Sequence, residues 1–212
     1  MSSLASSRDF ARAHFTHFIL GGQKSGKSRH AEEMAARWLA AAPENEAVLL
    51  ATAWPHGDEM RERIARHQRE RALRVPRLRA QEAWRDLPAA IAHAGEAQTL
   101  RVVDCLTLWL AQIMLLSPDM PALAISTEIP AEISPAPEMP PWKMQAALFL
   151  QAARNCPGPL ILVSNEIGLG VIPMGRETRA FVDALGWLNQ QAAIFCGRVT
   201  FMAAGLPLAL KS

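Results

Sequence analysis

The eight-residue segment GGQKSGKS at residues 21–28 constrains the possible folds of this chain more than any other segment does. It follows the short apolar run 17–20 and precedes residues 28–42, whose Ala, Met, Trp and Leu content favours a helix. This spacing of glycines, lysine and serine between a strand and a helix is typical of a phosphate-binding loop. The glycines let successive backbone N–H groups turn toward phosphate oxygens, and the helix presents its positive end to the same anion. The segment predicts a site for a nucleoside triphosphate.

Lys27, Ser28 and Asp104 are the side chains that phosphoryl transfer would use in such a site. Lys27 adds a full charge toward the β- and γ-phosphates. Ser28 offers a hydroxyl ligand to Mg²⁺, and Asp104, which ends the apolar run 100–103, is placed to supply the partner carboxylate. The alternative interpretation is structural, since lysine and serine can open an ordinary helix and an acidic residue after a strand can cap the next helix. We expect Lys27 to be catalytic and Ser28 and Asp104 to hold the metal ion.

Apolar runs and helical stretches alternate along the rest of the chain. Asp58 is placed to cap a helix in which Met60 and Ile64 share a face. The other predicted strands are 47–53, 100–104, 160–165 and 199–203, and the other predicted helices lie around 85–94, 142–155 and 177–193. We therefore predict an α/β fold, a P-loop NTPase with a recombinase-like, mostly parallel sheet and helices on both faces.

The length of 212 residues fits one such domain, at residues 18–212, after an N-terminal extension at 1–17. Seven prolines between 117 and 141 interrupt the alternation and predict a surface insertion. The extension has no apolar run long enough for a signal peptide, and no later run approaches the ~18 residues of a membrane span. We expect a cytoplasmic protein without a membrane span.

Charge and cysteine content exclude further classes. A formal charge of +2 and a pI near 8.6 are too mild to predict a nucleic-acid partner. Cys105, Cys156 and Cys196 lie far apart without metal-ligand spacing, which favours reduced, buried thiols over disulfides or a zinc site. Trp38, Trp109 and Trp187 fall on apolar helical stretches and are expected in the core.

Several segments narrow the reaction beyond a generic triphosphate site. They are GGQKSGKSRHAE at 21–32, DEM at 58–60 with Arg63, Ile64 and His67, VDCLTLWL at 103–110, VSNEIGLGVIP at 163–173 and GLPLALK at 205–211. Together they resemble the bifunctional adenosylcobinamide kinase / adenosylcobinamide-phosphate guanylyltransferase family of cobalamin biosynthesis. The resemblance runs from about residue 18 to 211, omitting the proline-rich insertion.

This resemblance implies two reactions and a homotrimer. The first reaction phosphorylates the aminopropanol hydroxyl of adenosylcobinamide with ATP or GTP. The second transfers GMP from GTP to adenosylcobinamide phosphate, through a guanylyl-histidine, and gives adenosyl-GDP-cobinamide and pyrophosphate. The implied nucleophile is His67, in the pattern R-I-x-x-H. The residues that the resemblance implies for the nucleotide site are Gly21, Gly22, Gln23, Lys24, Ser25, Gly26, Lys27, Ser28, Ala51, Thr52, Ala53, Gln68, Arg69, Glu70, Arg71, Glu82 and Asp104.

The sequence departs from the family pattern at three places. The stretch between His67 and Glu82 is a few residues longer, Gln23 and Lys24 replace the commoner Ala-Arg, and Gln112 stands where Asn is common. The first departure affects the register of residues 68–71.

Asn165 and Glu166 are further candidates, because they follow a predicted strand and loops at the carboxyl ends of parallel strands bind ligands in α/β sheets. We expect them to contact substrate or position water. The structural alternative is a turn in which Asn165 caps its strand and the nearby glycines relieve backbone strain.

His67 also has a structural alternative, a surface histidine on an arginine-rich helix with pairs such as Glu62–Arg66. The same sequence features also fit two other functions. A monofunctional small-molecule kinase would use the same loop and give His67 no chemical role. A nucleotide-switched binding module would use hydrolysis to exchange partners.

Overall fold

The computed structural model describes residues 15–93, 95–114 and 140–212. Residues 1–14 of the predicted extension and 117–139 of the predicted insertion lie outside the described residues, so the domain boundaries stay predictions. In the described ranges, strands and helices alternate along the chain. In order they are β1 (Thr16–Gly21), α1 (Lys27–Ala41), β2 (Glu46–Ala51), α2 (Asp58–Arg74), β3 (Leu78–Glu82), α3 (Leu87–His93), β4 (Thr99–Asp104), α4 (Leu106–Met114), α5 (Pro141–Arg154), β5 (Leu160–Val163), α6 (Arg176–Phe195), β6 (Arg198–Ala203) and β7 (Leu206–Lys211).

The strands form one seven-stranded sheet in the order β3-β2-β4-β5-β1-β6-β7. All neighbours are parallel except β6 and β7, which form an antiparallel pair. β1 lies inside the sheet, with Ile19 opposite Val163 of β5 and Gly21 opposite Met202 of β6. Because these strands are parallel, their carboxyl ends meet at one edge of the sheet, which is where α/β proteins bind ligands.

Both faces of the sheet are covered. Phe18 and Leu20 of β1 pack into one hydrophobic cluster with residues of α3 to α6, whereas Ile19 packs into a second cluster with α1 residues such as Met34 and Trp38. Successive side chains of a strand point to opposite faces, so a strand buried on both sides needs a continuous apolar run. The α/β fold with a mostly parallel sheet and helices on both faces is confirmed.

Three elements escaped the sequence analysis: β3, α4 and β7. In β3 four of the five residues are exposed, because β3 lies at the edge of the sheet and its LRAQE sequence lacks an apolar run. The apolar α4 continues directly from β4 and cannot be separated from a buried strand by periodicity alone. β7 contains Pro207, which argues against a central strand but is tolerated at an edge.

The predicted cap of α2 was wrong. Gly57 is the N-cap, and Asp58 is the first helical residue. Gly57 has φ 75°, a backbone angle that favours glycine, and this turn leaves Asp58 inside the first helical turn. There the Asp58 carboxylate accepts a hydrogen bond from the guanidinium of Arg61 at 2.7 Å.

Predictions about individual core residues are confirmed in most cases. Cys105, Cys156 and Cys196 are free and buried. Trp38 and Trp109 are buried, and Trp187 is half-buried, packing edge-on against Trp142 at 5.7 Å between ring centroids. Among the helices in the described ranges, none has the length and apolar character needed to cross a membrane.

Candidate active site

The predicted phosphate loop, residues 21–28, connects β1 directly to α1. Gly21 has φ 152°, and a Cβ atom there would lie 2.4 Å from the carbonyl oxygen of Met202. Gly26 has φ 99°, and a Cβ atom there would lie 3.3 Å from Cα of Gly205. Both positions therefore require glycine, for backbone angle and for space. Gly26 is also the N-cap of α1 and supplies no side-chain cap, so the first-turn N–H groups remain available to an anion.

Two neighbouring segments hold the loop in place. The N–H of Glu166, just beyond β5, donates to the carbonyl of Gly21 at 3.1 Å. The N–H of Gly205, in the β6–β7 turn, donates to the carbonyl of Ser25 at 3.0 Å. Gly205 was not among the predicted site residues, although the GLPLALK segment contains it. The loop is thus fixed by segments more than a hundred residues away in the chain.

Lys27 lies inside the loop and is only 7% exposed. Its ammonium donates a hydrogen bond to the carbonyl of Gly22 at 2.6 Å and lies 3.5 Å from Oγ of Ser25. Burial lowers the pKa of Lys27 below its ordinary value, and the nearby Cys105 and Asp104 side chains oppose that shift. A cation held this way can exchange its carbonyl partner for phosphate oxygens.

Thr52 fixes the backbone around Asp104. Its hydroxyl donates to the carbonyl of Cys105 at 2.8 Å and accepts from the Cys105 N–H at 2.7 Å. The N–H of Thr52 donates to the carbonyl of Asp104 at 3.2 Å, and the amide of Gln112 donates to the Thr52 carbonyl at 2.7 Å. Thr52 is fully buried. Its side chain therefore belongs to the scaffold, and within the predicted segment 51–53 only Ala51 and Ala53 are partly exposed.

Ser28 and Asp104 fit the metal role that was predicted for them. Ser28 is half-buried in the first turn of α1, and Asp104 is half-buried at the end of β4. Asp104 opposes the lowering of the Lys27 pKa, so its carboxylate lies within electrostatic reach of the Lys27 ammonium. A hydroxyl and a carboxylate are oxygen donors of the kind that Mg²⁺ prefers.

Ala51, Glu82 and Asp104 form a row across the sheet. Ala51 of β2 stands opposite Glu82 of β3 on one side and opposite Asp104 of β4 on the other. The Glu82 carboxylate is exposed and accepts a hydrogen bond from the indole of Trp84 at 3.4 Å. These three residues, which the resemblance assigned to one nucleotide, therefore lie side by side at the same edge of the sheet, although they are far apart in the sequence.

Asn165 and Glu166 lie beside the phosphate loop. The N–H of Asn165 donates to Oγ1 of Thr107 at 2.8 Å, and its carbonyl accepts from the side-chain amide of Asn189 at 3.1 Å. The Glu166 carboxylate accepts from the N–H of Gly168 at 3.2 Å. Thr107 and Asn189 were missed by the sequence analysis. The signal for Thr107 was a polar residue within an otherwise apolar stretch of helix, whereas Asn189 is followed by Gln190 and Gln191 and gives no such signal.

His67 lies on an exposed helix. Within α2 the only buried residue is Arg71, near the C-terminal end, so the helix carries His67 on a solvated surface. Its neighbours at 68–70 are exposed as well. The end of α2 is anchored by Arg74, whose guanidinium lies 2.7 Å from the buried carboxylate of Glu32 in α1. Among the described residues, no hydrogen bond or ion pair joins His67 to the phosphate loop.

The Arg74–Glu32 pair ties α2 to α1. α1 links β1 to β2 and α2 links β2 to β3, and these strands are parallel, so both helices lead back from the carboxyl edge of the sheet. Glu32 lies in the second turn of α1, and His67 lies about two turns before Arg74 in α2. The pair therefore holds the C-terminal end of α2 against the beginning of α1.

Known proteins match nearly the whole chain. The family described as cobinamide kinase / cobinamide phosphate guanyltransferase matches residues 17–210. The bifunctional adenosylcobalamin biosynthesis protein CobP of Pseudomonas aeruginosa is 40% identical over 193 residues, covering 91% of this chain and 95% of that protein. CobU of Salmonella typhimurium, also called a bifunctional adenosylcobalamin biosynthesis protein, is 28% identical over 91% of this chain and 98% of that protein. The crystal structure of the flagellar accessory protein FlaH from Methanocaldococcus jannaschii aligns with TM-score 0.46 and 12% identity, over 93% of this chain and 78% of that one.

Proposed function

The chain belongs to the cobinamide kinase / cobinamide phosphate guanyltransferase family, and we propose on that premise how its residues divide the two reactions of a bifunctional enzyme of cobalamin biosynthesis. The kinase reaction phosphorylates adenosylcobinamide with ATP or GTP. The guanylyltransferase reaction then converts adenosylcobinamide phosphate and GTP into adenosyl-GDP-cobinamide and pyrophosphate. The observation that supports one shared triphosphate site best is the loop around the buried Lys27, with Asp104 at the same edge of the sheet.

In the kinase reaction the oxygen of the aminopropanol hydroxyl attacks the γ-phosphorus. The bond from that phosphorus to the β–γ bridging oxygen breaks, and the nucleoside diphosphate leaves with the electron pair. Lys27 and the N–H groups of the loop stabilise the charge on the phosphate oxygens. We assign Asn165 and Glu166 to the acceptor side, because the N–H of Glu166 is bonded to the loop carbonyl of Gly21. The Glu166 carboxylate accepts the hydroxyl proton.

We assign Ser28 and Asp104 to hold Mg²⁺. When bound, the ion neutralises negative charge on the phosphates of the nucleotide. The Thr52 hydroxyl bonds both the N–H and the carbonyl of Cys105, which follows Asp104, and so restricts where the Asp104 carboxylate can lie. Lys27 supplies a second positive charge to the same region.

In the guanylyltransferase reaction a ring nitrogen of His67 attacks the α-phosphorus of GTP. The bond to the α–β bridging oxygen breaks, pyrophosphate leaves, and a phosphorus–nitrogen bond joins GMP to the histidine. A phosphate oxygen of adenosylcobinamide phosphate then attacks the same phosphorus and releases the imidazole. A neutral imidazole is a competent nucleophile near neutral pH. Arg63 and Arg66 lie within one turn of His67 and are assigned to the phosphate oxygens.

The chain is proposed to act as a homotrimer in the cytoplasm. Leu206, Leu208 and Leu210 alternate along the edge strand β7 and are 71%, 60% and 58% exposed. An exposed apolar row on an edge strand favours association with another chain. The free cysteines fit a reducing compartment. Analytical ultracentrifugation of the full chain tests the trimer, which a monomer mass would contradict.

Mass spectrometry tests both reactions. With adenosylcobinamide, ATP and Mg²⁺ the corrinoid product should gain one phosphoryl group, and with added GTP it should gain GMP. Intact protein incubated with GTP and Mg²⁺ alone should gain the mass of one GMP, which peptide mapping should place on His67. Phosphorylation without any protein adduct would indicate a monofunctional kinase. Absence of corrinoid turnover with nucleotide-dependent partner binding would indicate a switch.

A further inference from the structure

The segment between β5 and α6 exposes a group of large apolar side chains. We call residues 167–174 the apolar loop. Leu169, Val171, Ile172 and Met174 are 75%, 95%, 78% and 95% exposed, and Ile167 is 37% exposed. Single exposed apolar residues are common on protein surfaces, but a contiguous group of this kind marks a surface that binds something. The other exposed apolar row in the described ranges lies on β7, at the edge of the sheet.

Hydrogen bonds hold the apolar loop at both ends. Before it, the N–H of Glu166 bonds to Gly21 of the phosphate loop, and the Glu166 carboxylate accepts from Gly168. At the other end, the guanidinium of Arg179 donates to the carbonyl of Pro173 at 2.9 Å and to the carbonyl of Met174. The ends of the apolar loop are thereby tied to the phosphate loop and to α6, while its side chains stay in solvent. A loop whose ends are already held loses less conformational entropy when a ligand covers it.

The position of the apolar loop indicates what covers it. β5 is the neighbour of β1, and the apolar loop begins one residue after Glu166, which touches the phosphate loop. It therefore adjoins the part of the site where a phosphoryl acceptor must approach the γ-phosphate. The acceptor of this family is cobinamide, a corrin macrocycle with broad apolar faces and polar amides at its rim. Gly170 is exposed and a Cβ atom there would meet nothing within 4 Å, so the main chain at this position is open to such amides.

We propose that the apolar loop is the docking surface for the corrin ring of adenosylcobinamide and its phosphate. The side chains of Leu169, Val171, Ile172 and Met174 cover a face of the ring, while Asn165 and Glu166 lie beside the hydroxyl that is phosphorylated. This inference rests on the proposed kinase function, since that function identifies the acceptor. The apolar loop adjoins the phosphate loop, which favours the substrate as its occupant. A second copy of the chain could bind instead at the separate apolar row on β7.

The test uses the full chain with Val171, Ile172 and Met174 all changed to Ser. These side chains are exposed, so their loss should leave the fold intact. The KM for cobinamide in the kinase reaction should rise at least tenfold, which corresponds to about 1.4 kcal/mol. The KM for the nucleotide and the amount of guanylylated protein formed from GTP should not change. The matched control is Ile194→Ser at the far end of α6, where an apolar side chain is 66% exposed; it should leave all three quantities unchanged.

An unchanged KM for cobinamide in the triple variant would overturn the inference and leave the proposed function standing. If the KM is unchanged but the triple variant has a lower oligomeric mass, the apolar loop is an interface between copies of the chain. If the KM is unchanged but the triple variant no longer sediments with vesicles of phosphatidylethanolamine and phosphatidylglycerol, the apolar loop binds membranes. If the wild type does not phosphorylate cobinamide at all, the proposed function fails. Equilibrium dialysis against cobinamide, read by the absorbance of the corrin, then decides the docking surface. Weaker retention by the triple variant than by wild type supports the surface, and equal retention refutes it.

Discussion

The phosphate loop and helix α2 differ in how firmly each is built into the protein. The loop is hydrogen-bonded to the segment after β5 and to the β6–β7 turn, and Lys27, which we propose as catalytic, is 7% exposed. α2 carries His67 on a solvated surface and is attached mainly near its end, through Arg71 and through the Arg74–Glu32 pair. Lys27 and His67, which we assign to the same nucleotide, thus differ in burial: the first is buried and the second is exposed.

This difference corresponds to what each proposed reaction requires. The negative charge on a phosphoryl group during transfer is stabilised by hydrogen-bond donors that are fixed before the reaction. A nucleophile that first takes GMP and then delivers it to a second substrate needs to be accessible to both. The loop should therefore tolerate little change, whereas α2 should tolerate change except at His67 and its anchor.

The largest expected effect is that of His67→Ala. Labelled GMP on the protein should fall below detection after incubation with GTP and Mg²⁺, because the proposed nucleophile is gone. Phosphorylation of cobinamide should stay within about threefold of wild type, since α2 and the loop are separate structures. The control is His93→Ala, an exposed histidine on α3 that should leave both activities intact. Retained label on His67→Ala would remove this residue from the reaction.

Lys27→Ala should reduce both reactions, because both proposals place the triphosphate in one loop. We expect the kinase kcat to fall by about 10²–10³, the usual effect of removing one preorganised charge donor. The yield of guanylylated protein should fall as well. The matched control is Lys143→Ala, which removes an exposed lysine at the start of α5 and should leave both reactions unchanged. A selective loss of the kinase reaction would mean that the two reactions use separate triphosphate sites.

Gly21→Ala should destabilise the loop region through sterics. The new Cβ would lie 2.4 Å from the Met202 carbonyl oxygen at a backbone angle unfavourable to alanine. The free energy of unfolding, measured by urea denaturation, should fall by about 3 kcal/mol. Gly186→Ala, inside α6 with no atom within 4 Å of the new Cβ, should raise it by about 0.5–1 kcal/mol. Equal effects at the two positions would contradict the close approach of Met202 to Gly21.

The smallest expected effect tests the anchor of α2. Arg74→Met leaves the buried carboxylate of Glu32 without its partner and should lower the free energy of unfolding by about 2 kcal/mol. Arg79→Met removes an arginine from an exposed pair with Glu46 at 2.9 Å and should cost under about 0.5 kcal/mol. Guanylylation should decline in the first variant more than phosphorylation does. A loss confined to phosphorylation would refute the anchor's role.

Part of the fold and of the candidate site could be predicted from the sequence, and part could not. The β1–loop–α1 unit was predictable because its glycines and Lys27 lie close together in the sequence, between an apolar run and a helical stretch. β3 was missed because an edge strand carries polar residues, and α4 because its residues are apolar on every side. His67 came only from resemblance. Nothing in its own neighbourhood separates a nucleophile from a surface histidine.

By itself, the sequence determined that a triphosphate loop follows a buried strand and that the fold is α/β, since these depend on residues adjacent in the chain. Only the tertiary structure decided which distant residues meet: Gly205 on Ser25, Glu166 on Gly21, and the row of Ala51, Glu82 and Asp104. The physical reason is that the order and register of the strands set these contacts. That order results from packing both sheet faces at once, and no local pattern encodes it.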